Sequence, residues 1–526
     1  MMNQPLKSAI GFASRNPIAS SASHPAPVGG LNTRDAEAAM RTAYATTMEN
    51  FWPQERFVGI RGGAETHHPT PSAVKQLGSW NGATGRELYA FTDTGAFGVT
   101  AAGDAAPPIA KAFTSGDMVL VNYSTSGGSY LAGVNGVDSY FYYKSPVWTS
   151  VATFNVGNGA TEETIATDKF SYLALHQRAL YFIEKESMNF YFLPIDSITG
   201  EVKRFPVGGL YRKGGKLVAM GSWTIDGADG PDDLAVFLSS EGQAVVYSGT
   251  DPATAGSWSL RGVFDVGTPL GSTPFFKLGG DLLVLTSFGL TSMTKLMKEG
   301  WTSSKTTLTD IISSYFQDTT RGAETSKEWR VVADPKISLL LINVPASPTR
   351  GRLQLAMNLV TGAWTVFKGW ETTSWELHNG QLYAGVGNSV AKMWTQSGDF
   401  GKRIVCYARC AWVYPPPRAR TKQVNLIRFL IRVGGELSIS AGLDVDFRTS
   451  DLFYPLNFTL FPISRFDTSE WDEASWGALE SMQVDWLSIP VEEGFCLAPS
   501  LRVFAGDATF QWSAVDYTYT VGGLGG

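Results

Sequence analysis

Hydrophobic and polar positions alternate in short runs along most of the chain, most clearly over residues 352–394. There Leu353, Leu355 and Met357 alternate about polar Gln354, which is the period of a half-buried strand and not of a helix. Thr361-Gly362, Lys368-Gly369, Asn379-Gly380 and Gly387-Asn388 separate the runs. Asn-Gly between two such runs is a strong hairpin signal, because both turn residues must take positive φ. The stretch reads as consecutive antiparallel hairpins.

Looser copies occupy 87–99, 118–143, 172–195 continued by 201–207, 216–264, 275–293 and 328–344. They recur at roughly 35–55 residues, within the range of propeller and solenoid repeats. Short antiparallel strands repeated about an axis close a ring and so remove exposed edges. The expected fold is all-β, a propeller of six or seven blades over 55–401. The run 56–61 would supply the missing outer strand of the last set and close the ring.

Two segments carry a helical spacing instead. Asn32 is a candidate cap for a helix over 33–48, where Ala36, Met40, Tyr44 and Met48 fall one turn apart. Leu308, Ile311, Ile312, Tyr315 and Phe316 mark a helical insertion near 302–326, with Thr307 and Asp310 as a capping box. Its apolar face has either a blade flank or another subunit to meet. Residues 1–31, rich in Ser, Ala, Pro and Gly, read as an extended arm, mobile or laid over a neighbour. Beyond 401 the strands lengthen and Pro415-Pro416-Pro417 interrupts them, as in a separate β-sandwich-like module. The chain thus divides into an arm with a short helix (1–54), a propeller (55–401) and a platform (402–526).

Composition supports this picture. Of 526 residues only 17% are charged while 12% are aromatic, with 56 Gly, which suits a turn-rich β protein and not a disordered one. With 42 Lys and Arg against 48 Asp and Glu, there is no global basic field to hold nucleic acid by counterion release. The beginning of the chain has no apolar signal-peptide core, and no apolar run is long enough to span a bilayer, so a soluble protein is expected. Cys406, Cys410 and Cys496 read as buried free thiols of a reducing cytoplasm.

Catalytic chemistry finds little support. His24, His67, His68, His176 and His378 are scattered, and no HExxH or GxSxG occurs. His67 and His68 sit in a Thr/Pro loop, where neighbours on an extended chain point apart. Asp226, Asp229, Asp232 and Asp233 crowd one stretch but lack the bidentate Glu of a helix-loop-helix calcium site, and read as a solvated acidic loop. The turns at 254–258 and 360–364 share a Gly-x-Trp ending with sialidase repeats without their Ser-x-Asp start, so each Trp reads as blade packing. No catalytic, cofactor or metal residue is assigned.

Charge in the platform is segregated. Lys402, Arg403, Arg409, Arg418, Arg420, Lys422, Arg428 and Arg432 come with no acid between them. Asp467, Glu470, Asp472, Glu473, Glu480, Asp485, Glu492 and Glu493 follow. These are either solvated or internally paired faces, or complementary surfaces of adjacent subunits in a closed ring. On the second reading the interface is Arg403, Arg418, Arg420 and Lys422 against Asp467, Asp472 and Glu473.

The stretches GGLNTRDAEAAM (29–40) and MENFWPQERFVGIRGG (48–63), VNGVDSYFYY (134–143), the insertion around 308–316 and the ending 495–523 occur in an order that resembles the tail-nozzle proteins of short-tailed bacteriophages, also called packaged-DNA stabilisation or tail-hub proteins. The pattern departs at Ala36, where proline is expected, and in its longer arm. The resemblance implies a non-enzymatic virion protein, made in the host bacterial cytoplasm and needing no cofactor. It would assemble with itself as a hexameric tube below the adaptor, or head-completion protein, and the portal. It would retain packaged double-stranded DNA, conduct it at ejection without sequence specificity, and dock tail fibres or spikes. The competing reading is a carbohydrate-binding or glycoside-hydrolysing propeller.

Overall fold

A computed structural model describes residues 19–523, apart from 84, 158–162, 228–229, 255, 301–302, 304–305, 396–397, 457–480, 484 and 492. The alternating runs become four-stranded antiparallel sheets. The first blade is Val74–Asn81, Arg86–Thr92, Gly95–Gly98 and Ile109–Ala112. The second is Val119–Thr125, Gly128–Val134, Tyr140–Lys144 and Val147–Val151. The third is Phe170–His176, Ala179–Glu184, Asn189–Phe192 and Lys203–Pro206. The fourth begins at Leu217 and ends at Asp265, and the three-stranded fifth runs from Phe275 to Ser292. Arg330–Asp334, Leu339–Val344, Leu353–Asn358 and Trp364–Lys368 form a sixth unit, and Thr372–His378, Gln381–Val386 and Ser389–Thr395 a last one.

The first strand of each unit packs beside the first strand of the next, and that of the last unit packs on Val74–Asn81, which closes a circle. Six of the units are free-standing sheets, and the sixth in chain order completes the ring while continuing into the platform. Aromatic side chains fill the spaces between blades. Tyr140 and Phe182 meet edge to face at 5.1 Å, and Phe190 stacks on Phe237 at 4.5 Å.

Ring closure is of the expected kind but uses a different segment. The outer strand of the last blade is Gly63–Pro69, with Ser389 opposite Pro69 and Met393 opposite Ala64. Residues Val58–Ile60 pair instead with Phe51–Pro53, and Val58 with Trp512 of the platform. His67 and His68 therefore lie on a strand and not in a loop. They do point apart, His67 towards the Val99 carbonyl and His68 towards that of Pro69.

The helix expected over 33–48 does not form. Only a short turn, Glu37–Ala39, is helical, and Tyr44–Glu49 is a strand. β-branched Thr46 and Thr47 suit a strand, and pairing on both sides overrides the helical spacing. Tyr44–Glu49 runs parallel to Trp364–Lys368 on one side and antiparallel to Ile404–Cys410 on the other. Asn32 still acts as a cap, accepting the N–H groups of Arg34 and Asp35, but on a turn.

The insertion is helical over Asp310–Ile312 and Ser313–Thr320, with Ile312 and Phe316 buried. Thr307 does not cap it. Its face packs inside the chain, where the Ile311 carbonyl accepts the Thr33 and Arg34 N–H groups. A second helix not expected from the sequence, Met293–Glu299, follows the fifth blade, capped by Ser292 and ended by left-handed Gly300.

The platform is built on two long strands, Lys422–Val445 and Leu497–Val521, paired from Lys422↔Val521 to Val445↔Leu497. A register shift at Gly435/Leu437 divides the ribbon. One half is flanked by Ser20–Pro25 and the other by Ile404–Cys410, and inward residues of both halves share one core. That core also takes in Leu31, Met48 and Phe51 of the N-terminal stretch, the insertion, and Leu340, Ile342 and Leu355 of the sixth blade. Residues 20–60 thus belong structurally with the platform. The three cysteines are buried and free, and burial pushes the Cys406 thiol up to about 12.

Candidate assembly surface

Prolines set the geometry of the basic stretch. Three in succession remove backbone donors after Trp412, so the chain leaves the sheet and returns only at Lys422. The Tyr519 hydroxyl donates to the Pro416 carbonyl at 2.8 Å and pins the turn. Arg418 and Arg420 project from it into solvent, the Arg418 guanidinium lying 4.2 Å from the centre of the Tyr414 ring. Arg403 is exposed too, but it precedes Ile404–Cys410 and stands at the other end of that strand, roughly 20 Å away.

Lys422 corrects the expectation. It is fully buried, and its ammonium lies 3.3 Å from the Phe495 carbonyl oxygen, with burial lowering its pKa. It shares a strand face with buried Val424, and that spacing was visible in the sequence. Arg409 and Arg428 are paired inside the chain, with Asp444 at 2.7 Å and Asp516 at 2.6 Å. Asp467, Asp472 and Glu473 lie outside the described residues. The exposed basic face therefore reduces to Lys402, Arg403, Arg418 and Arg420.

The junction between ring and platform holds charges that patterning missed. The Arg61 side chain is fully buried and donates to both carboxylate oxygens of Asp399 at 2.8 and 2.6 Å. Its other N–H groups reach Asn50 Oδ1, the Gly62 carbonyl and the Lys368 carbonyl, and its plane lies 4.2 Å from the Trp370 ring centre. Asn50, at φ 58, also donates to the Val405 carbonyl. One cluster thus joins the N-terminal stretch, the sixth blade, the segment after the last blade, and the platform. Gly30 is part of the same seam. At φ +79 it lies so close to the sixth blade that a Cβ would stand 2.3 Å from the Trp364 carbonyl oxygen. The available signal was a single arginine inside an apolar and glycine-rich run, FVGIRGG.

A second missed pair lies at the propeller axis. Arg330, on the sixth blade, is buried and interacts electrostatically with Asp117 before the second blade, Tyr172 on the third and Glu376 on the last. Only a residue near the axis can feel all three. Burial pushes the Glu376 carboxyl up to about 7, against the opposing effects of Ser79 and Arg330.

Among the described residues no three His, Cys, Asp or Glu side chains are grouped to hold a metal. Asp233 accepts hydrogen bonds from Gln177 and Thr224, while Asp229 lies outside the described residues. Trp364 and Trp258 are packing residues, the first donating to the Leu308 carbonyl and the second stacked on Tyr247.

No protein-family model matches the chain, and no curated protein matches it significantly. Among solved structures it is similar to BBS1N in complex with ARL6DN, in crystals soaked with lead and with mercury. Identity is 10% and 9%, and TM-score 0.40 and 0.37. The matches cover 65% and 64% of this chain and 100% and 97% of those chains. At these values the likeness carries no argument about partners or function, and the propeller is read from the strand pairing above.

Proposed function

We propose that this chain is the nozzle subunit of a short-tailed bacteriophage tail, a structural virion protein and not an enzyme. In this reading copies of the chain form a ring, six in the family pattern, seated below the adaptor and portal. The tube retains packaged DNA, conducts it during ejection, and offers its outer surface to fibres or spikes. One observation carries the reading: the two N-terminal motifs of the resemblance supply the seam between ring and platform. Gly30 lies against Trp364, and Asn50 with Arg61 forms the buried cluster. The motif residues at 497–521 are the platform's longest strand. A formal charge of −6 suits a conduit that must release phosphates.

Sedimentation velocity and electron microscopy of the purified chain test it. A six-copy ring with a central opening, and antibody labelling at the tail vertex of virions, are the expected results. A chain that stays monomeric at micromolar concentration and is absent from particles would overturn the proposal.

A further inference from the structure

We propose that the cleft between the third and fourth blades is a binding pocket for a small, neutral, largely apolar molecule that presents a carbonyl oxygen to the Tyr181 hydroxyl. The cavity measures about 380 Å³. That lies within the range of small-molecule sites and far exceeds the share of a single water. Phe192, Pro194 and Ile195 give it apolar walls, and Lys203 and Asp251 stand with them around the space.

Tyr181 is its distinguishing feature. The residue is 1% exposed, and its ring is held by stacking on Phe192 at 5.6 Å. Yet its hydroxyl has no hydrogen-bond partner among the described residues. Asp251, which also lines the cavity, is the charge that acts on the phenol, so the hydroxyl faces the cleft. That carboxylate is committed elsewhere, accepting the Ala253 N–H at 2.9 Å and the Thr254 hydroxyl at 2.7 Å.

Burial holds the phenol protonated, so the cleft offers a donor and lacks an acceptor for it. A buried donor left in this state is costly, and a ligand carbonyl relieves the cost. The ligand's charge follows from the mouth. Asp251 disfavours an anion, and Lys203, acting on Asp251, offsets the attraction for a cation. Ile195, 57% exposed, marks the entrance. This proposal does not depend on the nozzle reading.

The test is a ligand-observed NMR titration of the full chain with cyclohexanone and with cyclohexane. Wild type should bind cyclohexanone saturably. Tyr181→Phe should weaken cyclohexanone at least fivefold while leaving cyclohexane unchanged. Ile195→Arg, at an exposed position, should abolish binding of both without moving the melting temperature. Absence of saturable cyclohexanone binding to wild type, equal affinity in Tyr181→Phe, or intact binding in Ile195→Arg would each overturn the pocket.

Discussion

Arg61 spends every N–H it has: five hydrogen bonds, two of them to one carboxylate. Removing it leaves Asp399 without its cation, and the Trp370 N–H is then the one printed donor still on that carboxylate. Breaking a buried pair from one side costs about 3–5 kcal/mol. Arg61→Ala is expected to lose that much in chemical denaturation. Arg61→Lys should recover little of it, because an ammonium cannot reproduce a planar five-donor fork. A lysine variant as stable as wild type would show that the fork geometry is unimportant. Glu376 makes a pH prediction. Its folded pKa, near 7, lies above the model value of 4.5, so between those values the folded state holds a proton that the unfolded state has lost. Its stabilising contribution is complete below pH 4.5 and lost as pH rises through 7. Melting temperatures of wild type should therefore fall across that window relative to Glu376→Gln. Parallel profiles would rule out a raised carboxyl pKa.

Hairpins were legible because each carries its own local code. Asn379 and Gly380 take φ 50 and 69, the mirror-image turn that the dipeptide announces, and His378 sits opposite Gln381. The partner of a strand has no such code. Gly63–Pro69 meets the last blade from the far end of the chain, and Tyr44–Glu49 is a strand only because two distant edges flank it. Part of the assembly surface was legible for similar reasons: prolines expose Arg418 and Arg420, whereas pairing with Val521 sets the phase that turns Lys422 inward. The same dependence on distant partners yields a prediction for fragments. A 402–526 piece lacks Ser20–Pro25, Tyr44–Glu49 and the apolar residues Leu31, Met48 and Phe51 that complete its core. Expressed alone it should show no cooperative thermal transition by circular dichroism, and fusion to residues 19–62 should improve it. A cooperative melt of the isolated piece would mean that the platform is autonomous.

In the whole molecule, the exposed basic face is where a head-to-tail contact would read charge. Arg418→Glu combined with Arg420→Glu should leave the melting curve within about 1 kcal/mol of wild type, since both side chains are exposed, and should block ring formation in sedimentation velocity. Wild-type rings from that variant would remove these residues from the interface. The sheet that leaves the sixth blade has a mechanical consequence. Backbone hydrogen bonds run without a break from Leu353–Asn358 through Trp364–Lys368, Gly30–Leu31 and Tyr44–Glu49 to Ile404–Cys410 and Leu497–Val521. Torque applied to the platform has no hinge to dissipate in, so it must arrive at the propeller undiminished. Pulled apart between the two, the molecule should yield in one event and not in two.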